Sequence, residues 1–212
     1  MDVSVNGEQL YTVGQQLAQT EGKTINDKMV YIYNSINELG QGEKPQWGGS
    51  RFNALVQVCN DMHDELLNMV TIVSKQIPEG VMQSACNYIN ADVQNSSKQI
   101  EPVTITAIPD ITPSANPSSL DFQETPVTET KTNVFSAFDD VLKALDEMAS
   151  KITNTESIWS SGAATEYRNR VKTIRDSMNT SIDKIKTQFN ASVEQSIADF
   201  KAAENASNVK NG

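Results

Sequence analysis

The stretch Gln46-Trp47-Gly48-Gly49-Ser50-Arg51-Phe52 places a tryptophan and two glycines between two long segments whose apolar residues have helical spacing. Glycine adopts a positive φ without a Cβ clash, so it can end one helix and let the chain reverse. An indole ring is large enough to cover the open end of such a hairpin. A looser copy, Trp159-Ser160-Ser161-Gly162-Ala163, lies between the next two segments. The sequence therefore predicts two helix–bend–helix hairpins in one chain.

Apolar residues recur at steps of three and four on both sides of each bend, which is the spacing of one helix face. Gly22 weakens the first stripe and predicts a kink, while Pro78 predicts a kink or a stop in the second, because proline lacks a backbone donor. The most regular stripe follows the second bend, and its members are Ala164, Tyr167, Val171, Ile174, Met178, Ile182, Ile185, Phe189, Val193, Ile197 and Phe200. The tail from Asn205 to Gly212 is expected to fray.

Residues 99–131 differ in composition from the segments on either side. Prolines are scattered there among threonines, serines and acidic residues, at Pro102, Pro109, Pro113, Pro117 and Pro126. Such a composition is typical of an extended, mobile linker. The predicted organisation is thus a first hairpin over residues 1–98, a linker over 99–131 and a second hairpin over 132–212, with Thr132-Asn133 as the cap of its first helix.

One hairpin alone would leave part of each apolar stripe in water, whereas two hairpins packed face to face bury all four stripes. The linker is long enough to run along the packed helices, which permits an antiparallel arrangement. We therefore expect an all-α fold, with the two hairpins packed as an antiparallel four-helix bundle. A monomer with an internal pseudo-dimer satisfies this arrangement, and so does a homodimer that exchanges hairpins.

The 212 residues carry a formal net charge of -10, which argues against nucleic acid or an anionic membrane as a partner, since both bind basic surfaces. No apolar stretch approaches the roughly 20 residues of a membrane span. The first seven residues have neither a basic segment nor an apolar core, so no cleaved signal peptide is expected. These features indicate folding in the cytoplasm, with leaderless export as the alternative.

Residue patterns that carry chemistry are scarce. His63 is the single histidine, and its acidic neighbours Asp61 and Asp64 point in other directions on a helix, so a solvated helix face is expected rather than a metal site. No phosphate-binding loop or Cys-x-x-Cys pair is present, and a catalytic triad has little support. Cys59 and Cys86 are expected to be free, half-buried thiols. We therefore predict no cofactor, no metal and no enzymatic activity.

The basic residues from Arg168 to Arg175 lie among the acids Glu166 and Asp176 on the second hairpin. This mixture is typical of an ordinary charged helix face rather than an anion-binding patch.

An acidic, leaderless hairpin with few cysteines and a Trp-x-Gly bend resembles the WXG family of small proteins exported by type VII secretion systems. Trp47-Gly48-Gly49 matches the family motif as written, and Trp159-Ser160-Ser161-Gly162 has one extra residue before its glycine. Family members also carry an export signal of the form Tyr-x-x-x-Asp or Glu. Tyr88-Ile89-Asn90-Ala91-Asp92 fits that pattern, and Phe200-Lys201-Ala202-Ala203-Glu204 is a degenerate version of it.

The resemblance implies a bacterial, non-enzymatic and virulence-associated protein that folds in the cytoplasm and is secreted without a cleaved signal peptide. Its implied partners are the type VII secretion ATPase or a co-secreted hairpin protein. In an antiparallel pairing, each tryptophan bend would lie near the free end of the other hairpin and form a surface that the ATPase recognises. The residues assigned to these two surfaces are Trp159, Gly162, Tyr88 and Asp92 for one, and Trp47, Gly49, Phe200 and Glu204 for the other.

Other readings of the same residues stay open. The tryptophans could only plug the bends, and Tyr88 and Asp92 could be an ordinary core aromatic and a solvated acid. A secreted helical effector or pore-forming component acting on membranes is the alternative function, although the missing long apolar segment argues against membrane contact. A scaffold that is not exported is a third reading.

Overall fold

Four helical runs make up most of the computed structural model, which describes residues 6–92, 97–159 and 162–209. The first run comprises α1 (Gly7–Gln16), a π-helical segment (Leu17–Gly22) and α2 (Lys23–Leu39), and the second comprises α3 (Gly49–Thr71), a π-helical segment (Ile72–Gln76) and α4 (Ile77–Asp92). The third run is α5 (Glu124–Thr153) with a 3₁₀ turn (Asn154–Ser157), and the fourth is α6 (Gly162–Val209). The predicted all-α class is confirmed for the described residues, among which Trp47 and Phe122 form an isolated β-bridge.

The ends of the first run follow from its sequence. Asn6 caps α1, since its side-chain oxygen accepts a hydrogen bond of 3.1 Å from the amide of Gln9. After Leu39 the chain turns through Gly42, whose φ is +88°. The carbonyl of Leu39 then accepts a hydrogen bond of 2.9 Å from the amide of Trp47, which closes the bend.

The sequence predicts that the second run either kinks or stops at Pro78. The run does not stop there, because α4 continues through Pro78 to Asp92. An α-helical turn would bring the proline ring against the carbonyl of Ser74. The backbone instead adopts the wider π register over Ile72–Gln76, and the amide of Ile77 bonds to the carbonyl of Ile72. The first run likewise changes to a π register over Leu17–Gly22, at the glycine where a kink is predicted.

The second hairpin begins earlier than the sequence predicts. Helix α5 starts at Glu124, so the linker does not extend to residue 131 and Thr132-Asn133 is not its cap. The prediction assigned Pro126 to the linker. A proline is tolerated in the first turn of a helix, because the backbone amides of that turn have no hydrogen-bond acceptor within the helix. The tail is also more ordered than expected, since α6 continues to Val209. Val93, which the sequence predicts to belong to a shorter apolar segment after Pro78, lies outside the described residues.

The chain divides into two compact units, and the first comprises Met1–Met29, Glu65–Ala107 and Asp139–Asn179. The four helical runs pack against one another in this unit. Its two π-helical segments touch at Gly22, where a Cβ would lie 3.0 Å from the carbonyl oxygen of Ser74. The carboxylate of Glu21 is buried and lies 2.5 Å from the ammonium group of Lys151, so an ion pair links the first run to the third.

The second unit comprises Val30–Asp64, Ile108–Phe138 and Thr180–Gly212, and it also draws on all four runs. Large side chains fill its core. Trp47, Tyr33, Phe52, Phe138 and Phe189 are each fully buried. The hydroxyl of Tyr33 donates a hydrogen bond of 2.8 Å to the carbonyl of Cys59, so its polar atom has a partner in this apolar environment.

Residues 97–123, called the strap below, connect α4 to α5 and correct the expectation of a mobile linker. In the first unit, the side-chain amide of Asn26 both donates to the carbonyl and accepts from the amide of Thr106, each at 2.7 Å. Asn90 makes the same pair of bonds with Lys98, at 3.0 and 2.9 Å. These bonds fix the first part of the strap to α2 and α4.

The same device recurs in the second unit. Asn60 makes paired hydrogen bonds of 2.9 and 3.1 Å with the backbone of Ile111, and Asn53 makes them with Ser114 at 3.3 and 2.7 Å. The side chains of Ile108 and Ile111 are buried beside these bonds. Side-chain amides on α3 therefore take the role that a neighbouring strand has in a sheet.

Candidate functional site at the two bends

Trp47 is fully buried, and three aromatic rings surround its indole. The ring centroids of Phe52, Phe122 and Phe189 lie 5.7, 6.0 and 5.6 Å away, with Phe189 stacked at an interplanar angle of 24°. The indole Nε1 donates a hydrogen bond of 3.0 Å to Oγ of Ser196 on α6. Trp47 thus packs the bend against α6, and a partner would have to contact the exposed groups around it.

The backbone of the first bend pairs with the end of the strap. The amide of Gly48 donates to the carbonyl of Asp121, and the amide of Gln123 donates to the carbonyl of Gln46, both at 2.8 Å. Gly49 has a φ of +77°, and a Cβ on it would lie 2.1 Å from the carbonyl oxygen of Ser119. The predicted need for glycine at this motif position is therefore confirmed.

Two large apolar side chains are exposed beside this bend. Phe200 on α6 is 43% exposed and Leu120 on the strap is 56% exposed, and both line one shallow depression with Arg51 and Asp199. Nε of Arg51 lies 2.8 Å from Oδ2 of Asp199, which joins α3 to α6. We call Arg51, Leu120, Asp199 and Phe200 the Trp47 surface. The structure thus brings Trp47 and Phe200 to one place, and Glu204 follows exposed on the same helix.

The second bend differs from the first. Trp159 is 1% exposed and lies 5.9 Å from the ring of Tyr167, so this indole is also a packing residue. Gly162 begins α6, has no positive φ, and a Cβ on it would meet nothing within 4 Å. The prediction that this glycine is needed for the reversal is wrong, because the helix starts there in an ordinary conformation. Ser160 and Ser161 of the second motif lie outside the described residues.

Tyr88 and Asp92 are helical as predicted, with Tyr88 half-buried and Asp92 exposed near the end of α4. The start of α1 connects them to the second bend. The amide of Asn6 donates a hydrogen bond of 3.1 Å to the carbonyl of Ile158, and a Cβ on Gly7 would lie 2.6 Å from Cγ1 of Ile89. Both Trp159 and Tyr88 therefore belong to the same end of the first unit.

His63 is not on a solvated face, contrary to the sequence prediction, because its side chain is only 12% exposed. Its Nε2 lies 2.8 Å from the carbonyl oxygen of Ile108, and its Nδ1 lies 3.1 Å from Asp64 and 3.7 Å from Asp110. Burial lowers the pKa of His63, but these acceptors and negative charges outweigh it and raise the pKa above its usual 6.5. His63 thus fastens the strap to α3.

Neither cysteine is placed for nucleophilic chemistry. Cys59 and Cys86 are free, as expected, but fully rather than half buried. Burial raises the pKa of Cys59 to about 12, so its thiol is unreactive at neutral pH. Over the ranges that the structure describes, no group of three or more histidines, cysteines or carboxylates could hold a metal ion.

Two arginines of the basic cluster on the second hairpin are paired with acids. Arg168 lies 2.8 Å from Glu156, and Arg175 lies 3.1 Å from Asp146 on α5 and 3.6 Å from its neighbour Asp176. This agrees with the predicted charged helix face.

Sequence reasoning missed three members of the Trp47 surface and all the asparagines that hold the strap. Leu120 carried a usable signal, since it is an isolated large apolar residue in a polar segment. Arg51 and Asp199 carried none, because surface charges on separate helices give no pairing information.

No protein-family model, no curated protein and no solved structure matches this chain. None of the helices described is both long enough and apolar enough to traverse a lipid bilayer. The fold is that of an all-α protein. A bend with a buried tryptophan lies between the first and second helical runs, and another lies between the third and fourth.

Proposed function

We propose that this chain is a non-enzymatic protein that a type VII secretion system exports after cytoplasmic folding and that acts through protein–protein interaction. Its partner is the secretion ATPase or a co-secreted hairpin protein. The proposal rests on the Trp-x-Gly bend, on the Tyr88-to-Asp92 motif at a helix end, and on the surface beside Trp47.

The two hairpins are proposed to pair antiparallel. In the second unit, the bend of the first hairpin packs on Phe189 and Ser196, toward the far end of α6. In the first unit, the bend of the second hairpin bonds to Asn6, at the start of the first hairpin. Contacts of this kind, with each bend against a free end of the other hairpin, support an antiparallel pairing.

The observation that carries the proposal is the exposure of Phe200 and Leu120 on the Trp47 surface. An exposed aromatic side chain beside an arginine is typical of a protein-binding surface, and the exposed Leu120 adds apolar area to it. The continuation of α6 to Val209, with exposed side chains over 201–207, leaves that helix end accessible to a partner.

Export from a bacterial host that carries a type VII secretion system tests the proposal. We expect Phe200→Ala to lower the secreted fraction about tenfold or more, which is the scale of losing one hot-spot residue. Tyr31→Ala is the matched control, since Tyr31 is 44% exposed but does not line the depression. Far-ultraviolet circular dichroism would verify that both variants remain folded.

The second motif is tested in the same assay. A double variant, Tyr88→Ala with Asp92→Ala, is expected to abolish export while the purified protein keeps its helical content. Unchanged secretion of both this variant and Phe200→Ala would reject the proposed export role.

A further inference from the structure

We propose that a cavity of about 330 Å³ in the first unit is a binding site for a small neutral molecule that carries an amide or hydroxyl group. The cavity lies where the two π-helical segments meet, and residues 101–106 of the strap form part of its wall. Its volume is in the range of small-molecule sites, which run from about 300 to 1,000 Å³. No role in export requires this cavity.

The two π-helical segments create the space. Gly22 and Ser74 approach so closely that a Cβ on Gly22 would lie 3.1 Å from Cα of Ser74. Gly22 and the nearby Ala18 both line the cavity, and neither fills it with a long side chain. π-helical turns inside α-helices occur often at functional sites, and here two of them share one cavity wall.

Ser74 supplies an unused polar group at this wall. The residue is 1% exposed, and its Oγ has no hydrogen-bond partner in the part of the chain that the structure describes. A serine inside an α-helix can bond to the carbonyl four residues earlier. Ser74 lies in the π-helical segment instead and makes no such bond. Burying a hydroxyl without a partner costs stability, so a rotation of the Ser74 side chain that brings Oγ to a ligand in the cavity would remove that cost.

The charges around the cavity favour a neutral ligand. Lys23 and Asp27 form an ion pair with each other, so their opposite charges contribute no net charge to this wall. Glu101 adds a negative charge that repels anions. The side chains of Gln15 and Gln19 can donate and accept hydrogen bonds, while Met82 and Pro102 offer apolar contact; all four line the cavity. A compact molecule with one or two amide groups matches this set.

The strap wall is held at two points. The amide of Val103 donates a hydrogen bond of 2.8 Å to the carboxylate of Glu79, and the backbone of Thr106 is paired with Asn26. These bonds use main-chain atoms of the strap, so side chains between them stay available to a ligand.

Binding of N-acetylglycine N-methylamide, a neutral molecule with two amide groups, to the ¹⁵N-labelled full chain tests the site. We expect saturable chemical-shift changes at the amides of residues that line the cavity. N-acetylglycine, its anionic counterpart, is expected to bind more weakly because of Glu101. Ser74→Ala should weaken binding of the neutral amide about two- to tenfold, as the loss of one hydrogen bond does.

Ser74→Ala also separates a ligand-binding role from a structural one. Because the hydroxyl has no partner, the variant should unfold at the same urea concentration as the natural protein or at a higher one. Ser84→Ala is the matched control. Ser84 bonds to the carbonyl of Gly80 in its own helix and does not line the cavity, so this change should leave binding intact.

Ala18→Leu would fill the cavity and is expected to abolish the shifts. If that variant does not fold, Ser74→Ala alone decides. The proposal is overturned if the natural protein shows no saturable shifts, if Ser74→Ala binds the amide as well as the natural protein does, or if the anion binds equally tightly.

Discussion

At Gly49 the backbone has a φ of +77°, and a Cβ would lie 2.1 Å from the carbonyl oxygen of Ser119. Gly49→Ala would therefore add backbone strain and a clash with the strap. We expect the free energy of unfolding to fall by more than about 2 kcal/mol, because the left-handed conformation alone costs about 1–2 kcal/mol in residues with a Cβ. Urea unfolding followed by circular dichroism measures the loss.

Two other glycines separate these contributions. Gly42 has a φ of +88°, but a Cβ there would meet nothing within 4 Å, so Gly42→Ala measures strain alone, about 1–2 kcal/mol. Gly162 has neither a positive φ nor a crowded Cβ, so Gly162→Ala should stay within about 0.5 kcal/mol. Equal losses of unfolding free energy at Gly49 and Gly162 would show that both bends need glycine to the same extent. That result would contradict the structure.

His63 makes stability depend on pH. Its two ring nitrogens face acceptors only, the carbonyl of Ile108 and the carboxylates of Asp64 and Asp110, so the protonated ring satisfies both. The folded-state pKa is therefore raised above 6.5. Its contribution to stability is complete below pH 6.5 and is lost as the pH rises through the folded pKa.

Urea unfolding of the natural protein and of His63→Gln between about pH 5 and pH 8 measures this effect. We expect the natural protein to be the more stable of the two at the acidic end, and the difference to shrink toward the alkaline end. The ring of Tyr33, 5.8 Å away, contacts His63 edge-on and keeps its proton throughout this range, because burial raises the pKa of its hydroxyl. A difference that grows with pH would contradict the assignment.

The strap is held by asparagines rather than by a sheet. Asn60→Ala removes both hydrogen bonds to the backbone of Ile111, so we expect a loss of about 1–3 kcal/mol in the free energy of unfolding. Hydrogen exchange should also show loss of protection at the amide of Ile111. Gln57→Ala is the control, since Gln57 is exposed on the same helix and bonds to Asp61 on that helix. Retained protection at Ile111 would contradict this role of Asn60.

The prolines of the strap explain why a segment that resembles a free linker can be fixed. The strap amides that donate hydrogen bonds to α3 and α4 side chains belong to Lys98, Val103, Ile111 and Ser114. No proline occupies any of these positions, although prolines directly precede Val103 and Ser114. Composition predicts the lack of helix. It could not predict the docking, because an asparagine beside an apolar stripe resembles any solvated polar residue.

The helices were more predictable than the strap. Period-3.6 stripes locate each run because burial of one face is a property of the local sequence. Pro78 shows the limit of that reasoning, because a proline inside a helical pattern predicts a kink or a stop, whereas the chain continues through the π register of Ile72–Gln76. The Trp47 surface was partly predictable for the same reason: Phe200 belongs to the regular apolar stripe of α6, which is a local signal, whereas the pair between Arg51 and Asp199 is not.

At the scale of the whole molecule, each unit contains contacts between the first and second hairpins. In the second unit, the indole of Trp47 stacks on Phe189. In the first, Lys28 pairs with Asp140 at 2.8 Å and Glu21 pairs with Lys151. A hairpin expressed without the other would expose these apolar and buried charged groups to water, which costs free energy.

Fragments 1–98 and 99–212, expressed separately, should each therefore have reduced helicity and unfold without a sharp transition, and mixing them should restore both properties. Trp47 is the single tryptophan of the first fragment, so its emission is expected to lie at long wavelength alone and to shift to shorter wavelength on mixing. Phe189→Ala in the second fragment should weaken this association, because it removes the ring stacked on Trp47. The contrary result is that fragment 1–98 unfolds cooperatively by itself and that its tryptophan emission does not change when the second fragment is added. Trp47 would then be buried by its own hairpin, and the contact with α6 would not be what stabilises the bend.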